Sequence, residues 1–469
     1  MEEKRYKLIE SNLGEIIDKA EIEKYKLNIP IYRDKKIIFD IILNHAKKYN
    51  RVIYGGYAQD FWLKKKDKKG IYGEMTAGDV DMKSPDPIFD IVEICNQIYK
   101  KGFTSILGRQ SILEGVFNII VEGEMIADIS YISSKALENH LLYKKEKDFS
   151  YVDYRFIVGD MYFVFSKHHY DYKKFLEKTF KRFYLLTKNY PEIYSKPKNI
   201  IKKKEDNKNI IKYKQEIFDK YIVNNKNIIL SGEEAYRYYI ELSGYDKTVF
   251  KPSQNEPLVI IVDDLKKETE NIIKILKLKN IKLEEYNRYL YNFDKSIVIK
   301  YKGDPIIRIY GNLDLCTQFN TIQLDNEKDT VKISSYSYMM YYFTYMMSYY
   351  HKEKENFNRY NLMFYYLHLV HNHYLEGNNL TGMETENPFT YFRLDCIWEK
   401  RSVLYSRQMY FNKRYMDKQR VKFEYRPESK YSDKINLKFP YKDNSGERIL
   451  DKKRLIFKET RYHDKKIKN

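Results

Sequence analysis

Three aspartates stand at spacings that could hold a metal ion. Asp79 and Asp81 flank Val80, and Asp128 follows the apolar residues 125–127. In a β-strand, residues i and i+2 point to the same face, so Asp79 and Asp81 are predicted to project together. Neighbouring carboxylates repel each other unless a cation lies between them, and Mg²⁺ prefers carboxylate and phosphate oxygens. The pattern therefore predicts a metal site with Asp79, Asp81 and Asp128 as its ligands.

A pair of glycines adds a phosphate-binding turn to this site. Gly55 and Gly56 lie between the predicted strand 51–54 and a predicted helix, where backbone N–H groups can meet phosphate oxygens. Three carboxylates can bind two metal ions, one activating a hydroxyl and one bound to a triphosphate. The predicted chemistry is in-line attack of a 3′-hydroxyl on an α-phosphate, with release of pyrophosphate.

Each part of this pattern also has an ordinary structural explanation. A Gly-Gly pair is commonly a turn, and Asp-x-Asp commonly forms an Asx-turn in a loop. A single aspartate in a strand is commonly a satisfied edge residue. The order of the three parts along the chain is more specific than any part alone, and it favours the catalytic interpretation.

The elements that position these residues are predicted from apolar periodicity and from Gly and Pro positions. Pro87 suits the first turn of a helix that Gly102 ends. The predicted order is helices within 5–50, a strand at 51–54, a helix at 57–65, a strand at 79–82, a helix at 88–101, strands at 103–109, 115–123 and 124–133, and a helix at 171–190.

A second segment repeats this order. Three segments of the first unit correspond in order to three later segments: RVIYGGYAQDFWL to NIILSGEEAYRYYI, DVDM to PLVIIVDD, and EMIADISYIS to DPIIRIYGNL. Similar intervals match Ile260 to Asp81 and Arg308 to Asp128. The pattern predicts a duplicated α/β unit whose second copy has lost the glycine pair and the carboxylates.

The charge balance favours a polyanionic partner. Lys and Arg number 85 against 66 Asp and Glu, which gives a net charge of +19 and a pI near 9.2. An A/T-rich coding sequence explains many lysines but not the excess over acidic residues. We predict a phosphate-binding track formed by the lysines of 196–214, Lys64–Lys69 and the tail 452–468.

Taken together, YGGYAQDFWL, DVDMKSPDPIFDIVEICNQIYKKGF and IADISYIS resemble the DNA polymerase β-like nucleotidyltransferase superfamily. More narrowly, they resemble the poly(A) polymerase catalytic subunits of large cytoplasmic DNA viruses, of the asfarvirus, mimivirus and poxvirus type. The resemblance is strongest over 50–190 and weaker over 225–330, where that family carries a second, inactive copy. The long interval between Gly56 and Asp79 departs from the wider superfamily but is similar in the viral enzymes.

This resemblance implies an enzyme that adds AMP from ATP to RNA 3′ ends without a template, with Mg²⁺ or Mn²⁺ as cofactor. By position, Asp79, Asp81 and Asp128 match the metal ligands, and Gly55 and Gly56 match the phosphate turn. Lys178 and Arg182, on the helix after the third carboxylate, are candidate triphosphate contacts or simply part of a solvated helix face. A homodimer or a separate processivity subunit is the expected partner. The alternatives are another RNA nucleotidyltransferase, uridylyl or CCA-adding, an oligoadenylate synthetase, or a non-catalytic RNA-binding processivity subunit.

The expected fold class is α/β (α+β). A nucleotidyltransferase fold with a mixed sheet and flanking helices is followed by a second, degenerate nucleotidyltransferase-like unit and a helical C-terminal region. The expected domains are a catalytic domain at 1–195, a basic linker at 196–224, and an inactive domain with a basic extension at 225–469.

Two further clusters are predicted to be structural rather than sites: the tyrosine run as core, and the histidines as helix-surface or core residues. The tyrosine-rich run 336–350 has helical spacing, which favours a packed helix over base stacking. His368, His371 and His373 lack a cysteine or carboxylate that would frame a zinc site.

The run 336–350 is also too short for a membrane span, which needs about 20 residues, and the N-terminus has no apolar signal core. We expect a cytoplasmic protein without a membrane partner, in the host cytoplasm or the virion if it is viral.

Overall fold

A computed structural model describes residues 12–13, 15–17, 19–20, 23, 29–66, 70–72, 78–111, 115–137, 139, 142–166, 172–197, 207–278, 280–286, 295–312, 317–325, 328–397, 423–429 and 448–449. The chain divides into two compact units. The first is formed by Met1–Ile132, Tyr143–Val152 and Lys422–Phe439, and the second by Ser133–Leu142, Asp153–Val421 and Pro440–Asn469. The domain boundaries predicted from the sequence stay a prediction.

The helices of the described residues are α1 (Ile29–Lys48), α2 (Gly55–Lys65), α3 (Pro87–Lys100), α4 (Ser134–Leu137), α5 (Tyr154–Phe165), α6 (Tyr172–Asn189), α7 (Lys208–Ile217), α8 (Gly232–Leu242), α9 (Leu265–Leu276), α10 (Tyr336–Tyr349) and α11 (Lys354–Gly377). Pro191–Tyr194 forms a 3₁₀ turn and Phe218–Ile222 a π-helical turn. Residues 208–217 of the segment predicted as a linker are therefore helical.

The strands are β1 (Val52–Tyr54), β2 (Asp81–Ser84), β3 (Ile106–Gln110), β4 (Val116–Val121), β5 (Glu124–Tyr131), β6 (Tyr143–Glu146), β7 (Phe149–Val152), β8 (Ile228–Ser231), β9 (Leu258–Val262), β10 (Ile281–Tyr286), β11 (Ser296–Tyr301), β12 (Asp304–Gly311), β13 (Thr317–Gln323), β14 (Thr330–Ser334), β15 (Cys396–Ile397), β16 (Glu424–Tyr425) and β17 (Arg448–Ile449). They form two mixed sheets, one in each unit.

The sheet of the first unit has the order β16-β3-β4-β5-β2-β1-β7-β6. β2 runs parallel to β5 and antiparallel to β1, and β1 runs parallel to β7. One face of this sheet is covered by α3, which lies against β3, β4 and β5. The approach is close at Gly108, where a Cβ would lie 2.2 Å from Cγ2 of Ile91 on α3.

A buried charge cluster joins α1 to α3 in the same unit. Asp90 on α3 accepts hydrogen bonds from Arg51 at 2.8–3.0 Å, and one of its oxygens lies 2.8 Å from Nε2 of His45 on α1. Charge-assisted bonds of this kind are strong, and removing one partner would leave a buried charge uncompensated. As predicted, α3 begins at Pro87, and Asp86 caps it by accepting from the Phe89 N–H at 3.3 Å.

The second unit repeats the topology of the first. Its sheet contains the order β17-β10-β11-β12-β9-β8-β14-β13, which matches β16-β3-β4-β5-β2-β1-β7-β6 strand for strand. Corresponding pairs run in the same sense, and the β4–β5 and β11–β12 pairs both contain a register shift. Two-residue turns with positive φ join both pairs, at Glu122–Gly123 and Lys302–Gly303. The predicted duplication is confirmed.

The tyrosine-rich helix α10 is core of the second unit. Almost all of its side chains are buried, including Tyr336, Tyr342 and Phe343 at 1 % exposure or less. It packs closely on α5, because a Cβ at Gly159 would lie 2.5 Å from Cγ2 of Thr344. The run therefore packs the second unit, as the sequence predicted. In the described part of the chain, every helix is too short or too polar to cross a membrane.

Two histidines of α11, His368 and His371, are packing residues. His368 stacks on Tyr194 with ring centroids 3.6 Å apart, and His371 stacks on Tyr336 at 4.0 Å. Burial lowers the pKa of His368 to about 3 and that of His371 to about 4. Among the described residues, no group of metal-binding side chains includes them.

Candidate active site

Asp79, Asp81 and Asp128 come together where β2 lies parallel to β5. Asp81 is the first residue of β2, and Asp128 lies in the middle of β5. One ligand oxygen from each of the three carboxylates can be chosen so that all lie within 4.8 Å of one another. Val80 and Met82 are fully buried on the other side of the chain, as the alternation of a strand requires.

Asp79 is held differently from the other two aspartates. The predicted strand began at Asp79, but β2 begins at Asp81, so Asp79 lies outside the ladder. The Val80 N–H donates to the Ile126 carbonyl at 3.0 Å, which keeps this segment beside β5. Asp79 therefore lies outside the strand pairing that holds Asp81.

Burial and neighbouring charge both act on Asp128. Burial is the larger influence and raises its pKa, a hydrogen bond donated by the Asn118 amide opposes this, and the negative charge of Asp79 raises it further. The raised pKa means that the charged form of Asp128 is disfavoured. A cation bound between the three carboxylates would stabilise that charged form.

Asn118 was missed by the sequence analysis. It lies directly opposite Asp128 in the β4–β5 pair. Counting back from the Glu122–Gly123 turn would place Phe117 opposite Asp128, and the register shift between Ile119 and Ile120 moves the pairing by one residue. An asparagine near the middle of the preceding strand was the only signal in the sequence.

The glycine pair begins α2 where β1 ends. Gly55 has φ +65°, a conformation that favours glycine. A Cβ at Gly55 would lie 2.0 Å from Oδ2 of Asp81, so the turn and the carboxylate are in direct contact. Tyr54, at the N-cap position, provides no side-chain acceptor for the first-turn N–H groups. Its hydroxyl lies 3.0 Å from Oγ of Ser130 instead.

The remaining predicted basic contacts are Lys178, Arg182 and the phosphate track. Lys178 and Arg182 lie on α6, which belongs to the second unit, and their role stays a prediction. Lys178 is exposed and Arg182 half-buried. Most of the predicted phosphate track falls on 198–206, 67–69 and 450–469, which lie outside the described residues.

The second unit has no carboxylates at the equivalent positions. Ser231 pairs with Val259 in the same way that Tyr54 pairs with Asp81. The counterpart of Asp81 is therefore Val259, whereas the sequence intervals indicated Ile260. Ile309 pairs with Ile260 as Ile129 pairs with Met82, which makes Arg308 the counterpart of Asp128, as predicted.

Two charged residues replace the metal-site and glycine residues in that copy. The buried guanidinium of Arg308 lies 5.2 Å from the ring centroid of Tyr286 and 5.9 Å from that of Tyr310. Glu233, which follows Gly232 as Gly56 follows Gly55, lies 3.6 Å from Nε of Arg359. A guanidinium where a metal ligand would stand cannot bind a cation.

A mixed sheet with a glycine turn after its first strand, and with clustered carboxylates on two adjacent strands, defines a nucleotidyltransferase fold. The family model for the poly(A) polymerase catalytic subunit matches residues 40–170. A second family model, for the C-terminal part of the mimivirus poly(A) polymerase catalytic subunit, matches residues 185–459. The chain therefore belongs to the viral poly(A) polymerase catalytic subunit family, and it is a polynucleotide adenylyltransferase.

Individual relatives agree with this family. A protein of Acanthamoeba polyphaga mimivirus described as a poly(A) polymerase catalytic subunit is 24% identical over 498 residues, covering 97% of this chain and 84% of the relative. A protein of African swine fever virus with the same description is 26% identical over 141 residues, covering 27% and 30%. The crystal structure of the Megavirus polyadenylate synthase superposes with a TM-score of 0.84 at 23% identity, covering 95% of this chain and 92% of that one, which shows the shared fold.

Proposed function

We propose that this protein is a template-independent poly(A) polymerase that adds AMP from ATP to RNA 3′ ends and releases pyrophosphate by two-metal phosphoryl transfer. The observation that carries the proposal is the carboxylate cluster of Asp79, Asp81 and Asp128 in contact with the Gly55 turn. A metal site and a phosphate-binding helix N-terminus side by side are what transfer from a nucleoside triphosphate requires.

The donor set fits Mg²⁺ or Mn²⁺. Three carboxylates whose oxygens lie within 4.8 Å of one another offer hard oxygen ligands, and a divalent cation would offset their mutual repulsion. Asp79, Asp81 and Asp128 would hold the metal. When bound, it would supply Lewis-acid activation of the RNA 3′-hydroxyl and neutralisation of the triphosphate.

The protein's own groups bind and orient the reactants. The first-turn N–H groups of α2, at Gly55 and Gly56, are proposed to bind the phosphates. The Asn118 amide fixes the orientation of Asp128. Lys178 and Arg182 are proposed to contact the triphosphate. We propose that together these groups orient the triphosphate for attack by the RNA 3′-hydroxyl without a template strand.

We propose further that RNA is gripped mainly through its phosphates, by part of the basic excess of the chain. A homodimer or a separate processivity subunit is the proposed partner. The proposed location is the cytoplasm of an infected host cell or the virion.

Primer extension tests the function directly. Purified protein is incubated with an RNA primer, Mg²⁺ and each of the four ribonucleoside triphosphates separately, with Asp81→Ala as the matched control. Extension with ATP alone, lost in the control, is expected. Equal or better extension with UTP or CTP would point to a uridylyl or CCA-adding enzyme instead. RNA binding without any extension would point to a non-catalytic processivity subunit.

A further inference from the structure

Gly78, the residue before the first metal-site aspartate, lies under an aromatic ring. A Cβ at Gly78 would lie 2.3 Å from Cζ and 2.6 Å from Cε1 of Tyr72. Distances that short do not occur between real atoms, so the Tyr72 ring lies directly on the Gly78 backbone. The next residue along the chain is Asp79. The position of the Tyr72 ring therefore affects the backbone conformation next to Asp79.

The same tyrosine is attached to the helix of the glycine turn. The Tyr72 backbone N–H donates to Oδ1 of Asp60 on α2 at 3.0 Å. Asp60 is 8 % exposed and also pairs with Lys64, whose Nζ lies 2.7 Å from Oδ2. The chain passes tightly over this carboxylate, because a Cβ at Gly70 would lie 2.1 Å from Oδ1 of Asp60.

These contacts make a continuous link from the phosphate turn to a metal-site residue. α2 begins at Gly55, Asp60 on α2 holds Tyr72, and Tyr72 covers Gly78 beside Asp79. We propose that Asp60 and Tyr72 are positioning residues that set Asp79 relative to the glycine turn. The proposal rests on the proposed metal site.

The backbone of Asp79 has less support from strand pairing than the backbones of Asp81 and Asp128. Asp81 and Asp128 lie within paired strands, so ladder hydrogen bonds fix their backbones. Asp79 lies before β2, and the backbone bond beside it is the one that the Val80 N–H donates to the Ile126 carbonyl. Groups that support metal ligands from behind change metal affinity by about 10–100-fold when removed. A loose Asp79 would weaken metal binding without unfolding the unit.

Direct metal binding tests the link without relying on turnover. Mn²⁺ affinity of the full chain is measured by electron paramagnetic resonance for the wild type, Tyr72→Ala, Tyr72→Phe and Asp81→Ala. We expect Tyr72→Ala to weaken Mn²⁺ binding about tenfold. Tyr72→Phe keeps the ring over Gly78 and should retain wild-type affinity. In primer extension, Tyr72→Ala should lower kcat and raise the Mg²⁺ requirement, with the KM for RNA unchanged.

A second set of variants separates the link from general stability. Asp60→Asn keeps an acceptor for the Tyr72 N–H and should bind Mn²⁺ like the wild type, whereas Asp60→Ala should not. Lys64→Met removes the ion pair to Asp60 and leaves the Tyr72 N–H bond in place, so it should retain Mn²⁺ affinity. Gly78→Ala should weaken binding in the wild type but add little in Tyr72→Ala, where the ring no longer meets the new methyl group.

The failures of the two proposals look different. Wild-type Mn²⁺ affinity in Tyr72→Ala, or simple addition of the Gly78→Ala and Tyr72→Ala effects, would overturn the positioning role alone. If Asp81→Ala binds Mn²⁺ as tightly as the wild type does, the proposed metal site is wrong, and the positioning role is wrong with it.

Discussion

Gly55 and Asp81 pack against each other so closely that the glycine has no room for a side chain. A Cβ at Gly55 would lie 2.0 Å from the Asp81 carboxylate oxygen Oδ2, and Gly55 has φ +65°. Gly232 has the same φ in the second unit, but there the Cβ would meet Cγ2 of Val259 at 2.7 Å. The same backbone turn thus supports a carboxylate in one unit and an aliphatic side chain in the other.

This pair of turns provides a matched experiment. Gly55→Ala and Gly232→Ala impose the same left-handed strain, which costs about 1–2 kcal/mol, so both should lower the melting temperature. Only Gly55→Ala displaces Asp81, and we expect it to reduce kcat/KM for ATP by about 100-fold. Primer-extension kinetics measure the change in kcat/KM, and thermal unfolding measures the change in melting temperature. Equal kinetic losses in the two variants would contradict the assignment of the second unit as inactive.

Removing a carboxylate should abolish catalysis and not folding. Asp79→Ala, Asp81→Ala and Asp128→Ala are each expected to reduce AMP incorporation by about three orders of magnitude or more, because the clamp on the transition-state charge is lost. RNA binding should persist. Asp86→Ala is the control, because it removes an exposed helix cap and should cost about 1 kcal/mol of stability with normal turnover. Near-normal activity in Asp128→Ala would exclude it as the third ligand.

Asn118 should affect turnover through Asp128. In Asn118→Ala the carboxylate loses its amide donor, and we expect kcat to fall about tenfold with the KM for RNA unchanged. Steady-state kinetics with varied RNA and varied Mg²⁺ separate these effects. A change confined to the KM for RNA would mean that Asn118 contacts the primer instead of orienting the carboxylate.

The glycine pair also makes a prediction about nucleotide binding. Gly56 is buried in the first turn of α2, so Gly56→Val would place a branched side chain where the phosphates approach the backbone. We expect a higher KM for ATP and a lower kcat. Titration of ATP at saturating RNA measures both, and unchanged ATP kinetics would remove this turn from the phosphate site.

The buried histidine of α11 should make stability depend on pH. Burial lowers the pKa of His371 from its ordinary 6.5 to about 4, so below pH 6.5 the unfolded chain binds a proton that the folded protein does not. The stability that this group confers is therefore complete above pH 6.5 and falls as the pH drops from 6.5 to 4, by up to about 1.4 kcal/mol per pH unit. His371→Phe should reduce this slope in denaturant titrations, and the slope that remains is expected from His368, whose pKa burial lowers to about 3. His373→Phe, at an exposed position on the same helix, should leave it unchanged.

Several parts of this protein follow from the sequence alone, because they depend on short-range geometry. The alternation of a strand places Val80 and Met82 inside, and Asp79 and Asp81 on the other side. The fixed φ of Pro87 begins a helix, and helical spacing of large apolar side chains buries the run of α10. The repeated order of elements along the chain also predicts the two matching sheets.

Other parts were decided only by tertiary structure, because they depend on hydrogen bonds between strands distant in sequence. The parallel pairing of β2 with β5 brings Asp81 to Asp128, and no local pattern specifies that pairing. A one-residue register shift selects Asn118 as the partner of Asp128. Strand register likewise makes Val259 the counterpart of Asp81, a residue away from the position that intervals suggested. Periodicity describes which face a side chain takes, whereas interstrand hydrogen bonds decide which side chain it meets.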